Sequence, residues 1–243
     1  MCGKSKKKRR KERAAPDVPK FRMSNGKQTI DSQMDALNDP QALVPEKPPP
    51  NPPPETAVGK ILKQIQETEE ITRLELSTLC HQGMDLFLAA KTNVNVDDAY
   101  GLGRHLLELE DAVNATEAFE WAVKKLPKSK EARLSLGIAQ LQQGTFAGAK
   151  KAAQTLNVAI GLRFTSNDRV NIAKYMYGEA LRRSYKYDKS LKEFESIMST
   201  KSNVTSDKDV LKDVVRSYFS ACRAVDCTAK LDLVRVLCSR ITT

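Results

Sequence analysis

Histidine is almost missing from this chain: His81 and His105 are the only two. They lie far apart, and neither has a Cys, Asp or Glu companion at ligand spacing, so no metal-binding helix motif can be read. His105 reads as a partly buried helix residue. Cysteine is sparse as well. Cys2, Cys80, Cys222, Cys227 and Cys238 contain no C-x-x-C pair, which removes the usual spacing of a structural zinc site. In an intracellular setting such thiols stay reduced, and Cys222, Cys227 and Cys238 are expected as small core residues. No glycine-rich phosphate loop and no nucleophile elbow occurs. Glu108, Glu110 and Asp111 cluster at a helix end, where a solvated turn explains them better than a general acid–base pair. No catalytic residue, metal or cofactor is therefore expected. No apolar run reaches the ~18 residues of a membrane span. The N-terminus shows no apolar leader with a small-residue cleavage site, so a cytoplasmic setting is expected, with nuclear import open. Asn114-Ala115-Thr116 and Asn203-Val204-Thr205 match the glycosylation pattern but have no use without a secretory route.

What is present begins with charge. The chain has 243 residues, 40 Lys+Arg and 30 Asp+Glu, for a formal charge of +10. Residues 1–54 hold ten of the eleven prolines and no hydrophobic period, and are expected as a disordered tail. Lys4 to Arg13, KSKKKRRKER, carries eight positive charges and one negative. Lys6, Lys7, Lys8, Arg9, Arg10 and Lys11 form its centre. Such a block is a solvated, self-repelling tail, a nuclear-import or nucleic-acid patch, or a contact for an acidic membrane surface. Cys2 keeps the last reading open, because an acyl chain and a polybasic run together hold a membrane stably. Pro45 to Pro54 contains seven prolines. It reads as a stiff polyproline II spacer, or as an SH3 or WW ligand.

Residues 55–93 read as helix, divided or bent at Gly83, with Ile61, Leu62, Ile65, Thr68, Thr72, Leu76 and Leu79 in helical register. This segment is expected to cap the exposed end of the helices after it or to form a partial first repeat; a short coiled coil with a partner is the other reading.

From residue 94 to 243 the helices are short and alternate with turns. Ala99 to Pro127 contains one amphipathic hairpin, with Leu102, Gly103 and Leu106 on its first helix and Ala115, Phe119 and Ala122 on its second. A shift of 34 residues carries Leu102-Gly103 onto Leu136-Gly137, Ala115 onto Ala149 and Ala122 onto Leu156. A further shift of 41 carries Gly137 onto Gly178, Ala149 onto Ser190, Ala153 onto Phe194 and Leu156 onto Ile197. The extra residues fall around Leu162–Asp168, where Ser166 is a candidate N-cap. A third, weaker shift of 39 carries Gly178 onto Ser217. Ser129 and Ser206 are candidate caps, Gly144 a candidate turn, and about Thr228 to Arg240 a closing helix.

This pattern resembles the tetratricopeptide repeat, whose signature is W-x2-L-G-x2-Y, then A-x3-F, then P. Here Ala99 and Leu106 replace the Trp and the Tyr, while Leu102, Gly103, Ala115, Phe119 and Pro127 keep their places. The resemblance implies an all-α fold: a right-handed superhelical solenoid of antiparallel helix hairpins. It also implies a non-enzymatic adaptor that binds a helix or apolar peptide of a protein partner along its inner face. That face would carry Tyr100, Arg104 and Leu107 from the first copy, Leu134, Ile138 and Leu141 from the second, and Tyr175, Glu179 and Arg182 from the third. An apolar middle of this kind marks an interface, filled by a partner or by the chain's own first or last helices. The places that grip a terminal carboxylate in chaperone-binding members hold Tyr100, Arg104, Ser135, Ile172 and Met176, so that mode is not expected. The alternative function is a nucleic-acid- or ribosome-associated factor that binds through the basic tail.

Overall fold

The computed structural model describes residues 55–91, 94–199 and 208–225. The basic and proline-rich tail, Ser206 and the expected closing helix lie outside these residues. Among the described residues there are nine helices and no strand: α1 (Ala57–Glu67), α2 (Arg73–Ala89), α3 (Val96–Glu108), α4 (Ala112–Lys125), α5 (Lys130–Gln142), α6 (Phe146–Gly161), α7 (Asn167–Arg183), α8 (Tyr187–Ser199) and α9 (Lys208–Ala224).

Most of these helices begin where a short polar side chain can replace the missing carbonyl partner of the first N–H groups. Thr56, Thr72, Asn95, Asp111, Ser129 and Thr145 all do so. Ser166 stands at the N-cap of α7, but its side chain makes no capping bond. The turns inside the three repeats are built alike. Glu110, Gly144 and Tyr185 adopt left-handed backbone at φ 66°, 68° and 61°. They are 34 and 41 residues apart, the same shifts that align the hairpins. Glycine suits that conformation at one of the three turns; Glu110 and Tyr185 bear its cost.

The pairing inside each hairpin also recurs. A Cβ on Gly103 would lie 2.8 Å from the ring of Phe119, one on Gly137 2.4 Å from Leu156, and one on Gly178 2.6 Å from the ring of Phe194. In each repeat a missing side chain on the first helix lets a large side chain of the second reach the backbone. Phe119, Leu156 and Phe194 are completely buried. In the first and third repeats that side chain is the Phe of the A-x3-F place or its equivalent. In the second, Ala153 holds the Phe place and Leu156, one turn later, fills the hollow. Ser190 takes the place held by Ala115 and Ala149, and its buried hydroxyl donates to the Gly178 carbonyl at 2.8 Å, as a buried polar group must.

Consecutive helices pack on each other from α1 to α9, and the first helices of neighbouring hairpins touch, α3 on α5, α5 on α7 and α7 on α9. The result is an all-α solenoid of antiparallel helix hairpins. The extra residues of the 41-residue step lengthen α6 and α7 relative to α4 and α5 and add one residue to the connection at 162–166.

The N-terminal segment differs from expectation in one respect. The chain breaks at Thr68–Thr72, not at Gly83. Thr72 and Glu75 close a reciprocal capping box that starts α2. Gly83 is buried inside α2, where a Cβ would meet Leu102 at 3.1 Å. Its smallness allows close approach of α2 to α3 and causes no break. Val58, Leu62, Ile65, Cys80, Met84 and Phe87 from α1 and α2 join Leu102, Leu106 and Phe119 in one core.

Candidate interaction surface

The first helices of the hairpins, α3, α5, α7 and α9, touch in turn and form one layer, the one that the repeat resemblance makes the inner face. On α3, Tyr100 is half-buried; its ring meets Phe119 edge-on and its hydroxyl lies 3.1 Å from Ser135 Oγ on α5. Arg104 is exposed and Leu107 half-buried. On α5 only Ile138 of the three expected residues keeps access to solvent; Leu134 and Leu141 are 2% and 5% exposed. On α7, Tyr175 and Glu179 are each 2% exposed. Arg182 retains part of its surface.

The expected apolar strip through the middle is thus not open. Leu134, Leu141, Tyr175 and Glu179 are packed, and cannot be touched by a partner in this arrangement. Helical period assigns a residue to a face. It does not reveal how closely the neighbouring inner helices close over it.

Glu179 is the most consequential of these residues. Its carboxylate accepts from Arg182 at 2.8 and 2.6 Å and from Arg183 at 2.7 Å. Arg182 reaches on to Ser220 of α9, and Arg183 to the Leu141 carbonyl of α5, both at 3.3 Å. Burial pushes the Glu179 carboxyl up, but the hydrogen bonds and charges of the two guanidiniums outweigh it and hold the group below the usual carboxylate range. One buried anion therefore ties three inner helices together. Arg182, expected as a groove contact, is half-buried in this arrangement. Burial first, and the negative charge of Glu179 second, push the Tyr175 phenol well above its ordinary range.

Neither histidine is as isolated as spacing suggests. His105 sits 3.3 Å from Glu108, one turn on, and that hydrogen bond holds the Glu108 carboxyl below its ordinary range. His81 lies between Ser77 and Asp111, the residue types of a hydrolytic triad. The connections are not those of one. Nδ1 is 2.7 Å from the Ser77 carbonyl and 3.4 Å from its hydroxyl, and Nε2 is 3.4 Å from Asp111. A triad needs one ring nitrogen on the nucleophile's hydroxyl and the other on a carboxylate free to orient it. Here the Asp111 carboxylate already accepts from the backbone and side-chain nitrogens of Asn114, at 3.2 and 2.7 Å, to start α4, and His81 is exposed.

Cys80 is fully buried, and Cys222 2% exposed. Burial, helped by the charge of Glu108, pushes the Cys80 thiol up to about 11, which makes it a poor nucleophile. Cys2, Cys227 and Cys238 lie outside the described residues. Among the described residues no three His, Cys, Asp or Glu side chains gather closely enough for a metal ion, and no helix is long and apolar enough to cross a membrane.

No profile of a known protein family matches the chain, and no curated protein sequence matches it significantly. Among solved structures it is similar to the crystal structure of TTC0263, a thermophilic TPR protein of Thermus thermophilus. That similarity has a TM-score of 0.39 and 18% sequence identity, and covers 77% of this chain and 100% of the other.

Proposed function

We propose that this chain is a divergent tetratricopeptide-like adaptor, non-enzymatic, that captures a helix or short apolar peptide of a protein partner on its inner face. The observation that supports this reading most is the run of side-by-side inner helices, which offers one continuous face across several hairpins. The usable part of that face is its N-terminal portion: Tyr100, Leu107 and Ile138 supply partly exposed apolar surface, and Arg104 an exposed cation. A peptide helix lays anchors three or four residues apart into such a surface. Ile138→Glu and Arg104→Glu in the full chain test it. Partners recovered by affinity capture are expected to be lost from both variants, while the melting curves stay close to wild type. Partners retained by two folded variants would remove this face from the account.

A further inference from the structure

We infer that the chain docks onto a second copy of itself, the acidic turn between α1 and α2 of one molecule seating on the basic turns between α4 and α5 and between α6 and α7 of the next. The surface involved is the edge of the solenoid, not its inner face, so this inference does not depend on the peptide-binding reading.

Antiparallel hairpins place alternate turns on opposite edges. Thr56, before α1, bonds to Asp98, at the start of α3. Lys130, at the start of α5, donates to the Arg163 carbonyl just after α6, at 3.1 Å. The starts of the odd-numbered helices and the ends of the even-numbered ones therefore share one edge. The turns after α1, α3, α5 and α7 share the other.

The α4–α5 and α6–α7 turns of the first edge and the α1–α2 turn of the second carry opposite charge. On the first, Lys124, Lys125, Lys128 and Arg163 are exposed. Among the described residues, none of the four has a carboxylate within ion-pair distance. Lys125 rests over the Trp121 ring. Of the carboxylates beside these two turns, Glu131 is engaged by Arg169 at 3.9 Å, and Asp168 stands at the start of α7. Between the lysines Leu126 is 48% exposed. On the opposite edge, Glu69 and Glu70 are exposed in the α1–α2 turn and Glu110 in the α3–α4 turn. Glu67 faces Lys63 at 3.9 Å, and Arg73 is the opposing cation. Beside this turn Leu74 is 78% exposed, the most exposed large apolar residue described.

Elsewhere both edges are mixed: Asp97 and Asp98 stand at the start of α3 on the first, and Lys186 and Lys189 at the α7–α8 turn on the second. The α4–α5 turn thus presents mainly cations around Leu126, the α1–α2 turn mainly carboxylates beside Leu74, and these two patches are complementary. One molecule cannot satisfy both, because the surfaces lie on opposite edges. A second molecule can, through a contact between unlike patches, which repeats instead of closing. Exposed ion pairs hold weakly and are screened by salt, so the assembly should be concentration- and salt-dependent.

The test is analytical ultracentrifugation of the full chain. Two variants are compared with it: Lys124→Glu/Lys128→Glu/Arg163→Glu, and Glu69→Lys/Glu70→Lys/Glu110→Lys. All six positions are exposed, and circular dichroism checks that both variants fold. Wild type is expected to show an average mass that climbs past the dimer with concentration at low salt. It should fall to monomer at about 1 M salt, where the Debye length is about 3 Å. Each variant alone is expected to stay monomeric, and an equimolar mixture of the two to associate again, since each then meets the opposite sign. A wild-type monomer at every concentration, a closed dimer, association of either variant alone, or a mixture that stays monomeric would each overturn the inference.

Discussion

At the scale of single residues, close approach decides more than hydrophobicity does. Gly103, Gly137 and Gly178 were legible because they recur with the repeat. Gly148 was not, since nothing in the motif marks it. It sits in the first turn of α6, where a Cβ would lie 2.5 Å from the Gln140 carbonyl oxygen. Backbone cannot yield as a side chain can, so Gly148→Ala is expected to cost about 2 kcal/mol by overpacking. Gly161, with nothing within 4 Å, is the control. Gly161→Ala should be neutral or stabilising by about 0.5 kcal/mol through helix propensity. Urea denaturation of the two variants separates them. Glu179 was legible only as a groove residue, because its burial and its pairing with Arg182 and Arg183 depend on how α5, α7 and α9 close together. Glu179→Gln leaves two guanidiniums facing a neutral amide and is expected to destabilise by about 3 kcal/mol near neutral pH. The sign with pH follows from the lowered carboxyl. Its contribution is complete above the ordinary value of 4.5 and is lost as pH falls through the lower folded value. Stability curves of wild type and Glu179→Gln should therefore converge at acid pH and separate above it. The Cys80 thiol, raised to about 11, should resist alkylation at pH 8 until the chain is unfolded by urea.

At the scale of elements, the caps and the register of the apolar residues made most helices readable, including the start at Ser129. The first hairpin was misplaced for a specific reason. Gly83 reads in sequence as a helix breaker, yet a buried glycine serves packing as readily as bending. The real signal was Thr72-x-x-Glu75, whose two side chains bond back to each other's backbone. Thr72→Ala should cost about 1 kcal/mol, and amide hydrogen exchange should rise first over residues 73–76. Glu110 and Tyr185 were hidden in another way. They are not glycines, yet they take the left-handed place that Gly144 occupies in the second repeat. Only the alignment of turns across hairpins reveals them.

At the scale of the whole molecule, the fold class was legible because the hairpin recurs and its pattern resembles a known helical repeat: one hairpin cannot bury its own apolar face, so its copies stack. What recurrence could not convey was which inner-face residues stay open. The apolar middle at Leu134 and Leu141 became core, and the free surface moved toward Tyr100, Arg104 and Ile138. Topology also sets the acidic turn at Glu69 and the basic turns at Lys128 and Arg163 on opposite edges of the stack. The central claim is that equivalent hairpins recur and stack through the same glycine contact. Nuclear Overhauser effects from the glycine α-protons of the full chain measure that contact directly. The account predicts cross-peaks from Gly103 to the Phe119 ring, from Gly137 to the Leu156 methyls and from Gly178 to the Phe194 ring; α-protons of these three glycines facing unrelated side chains would contradict it.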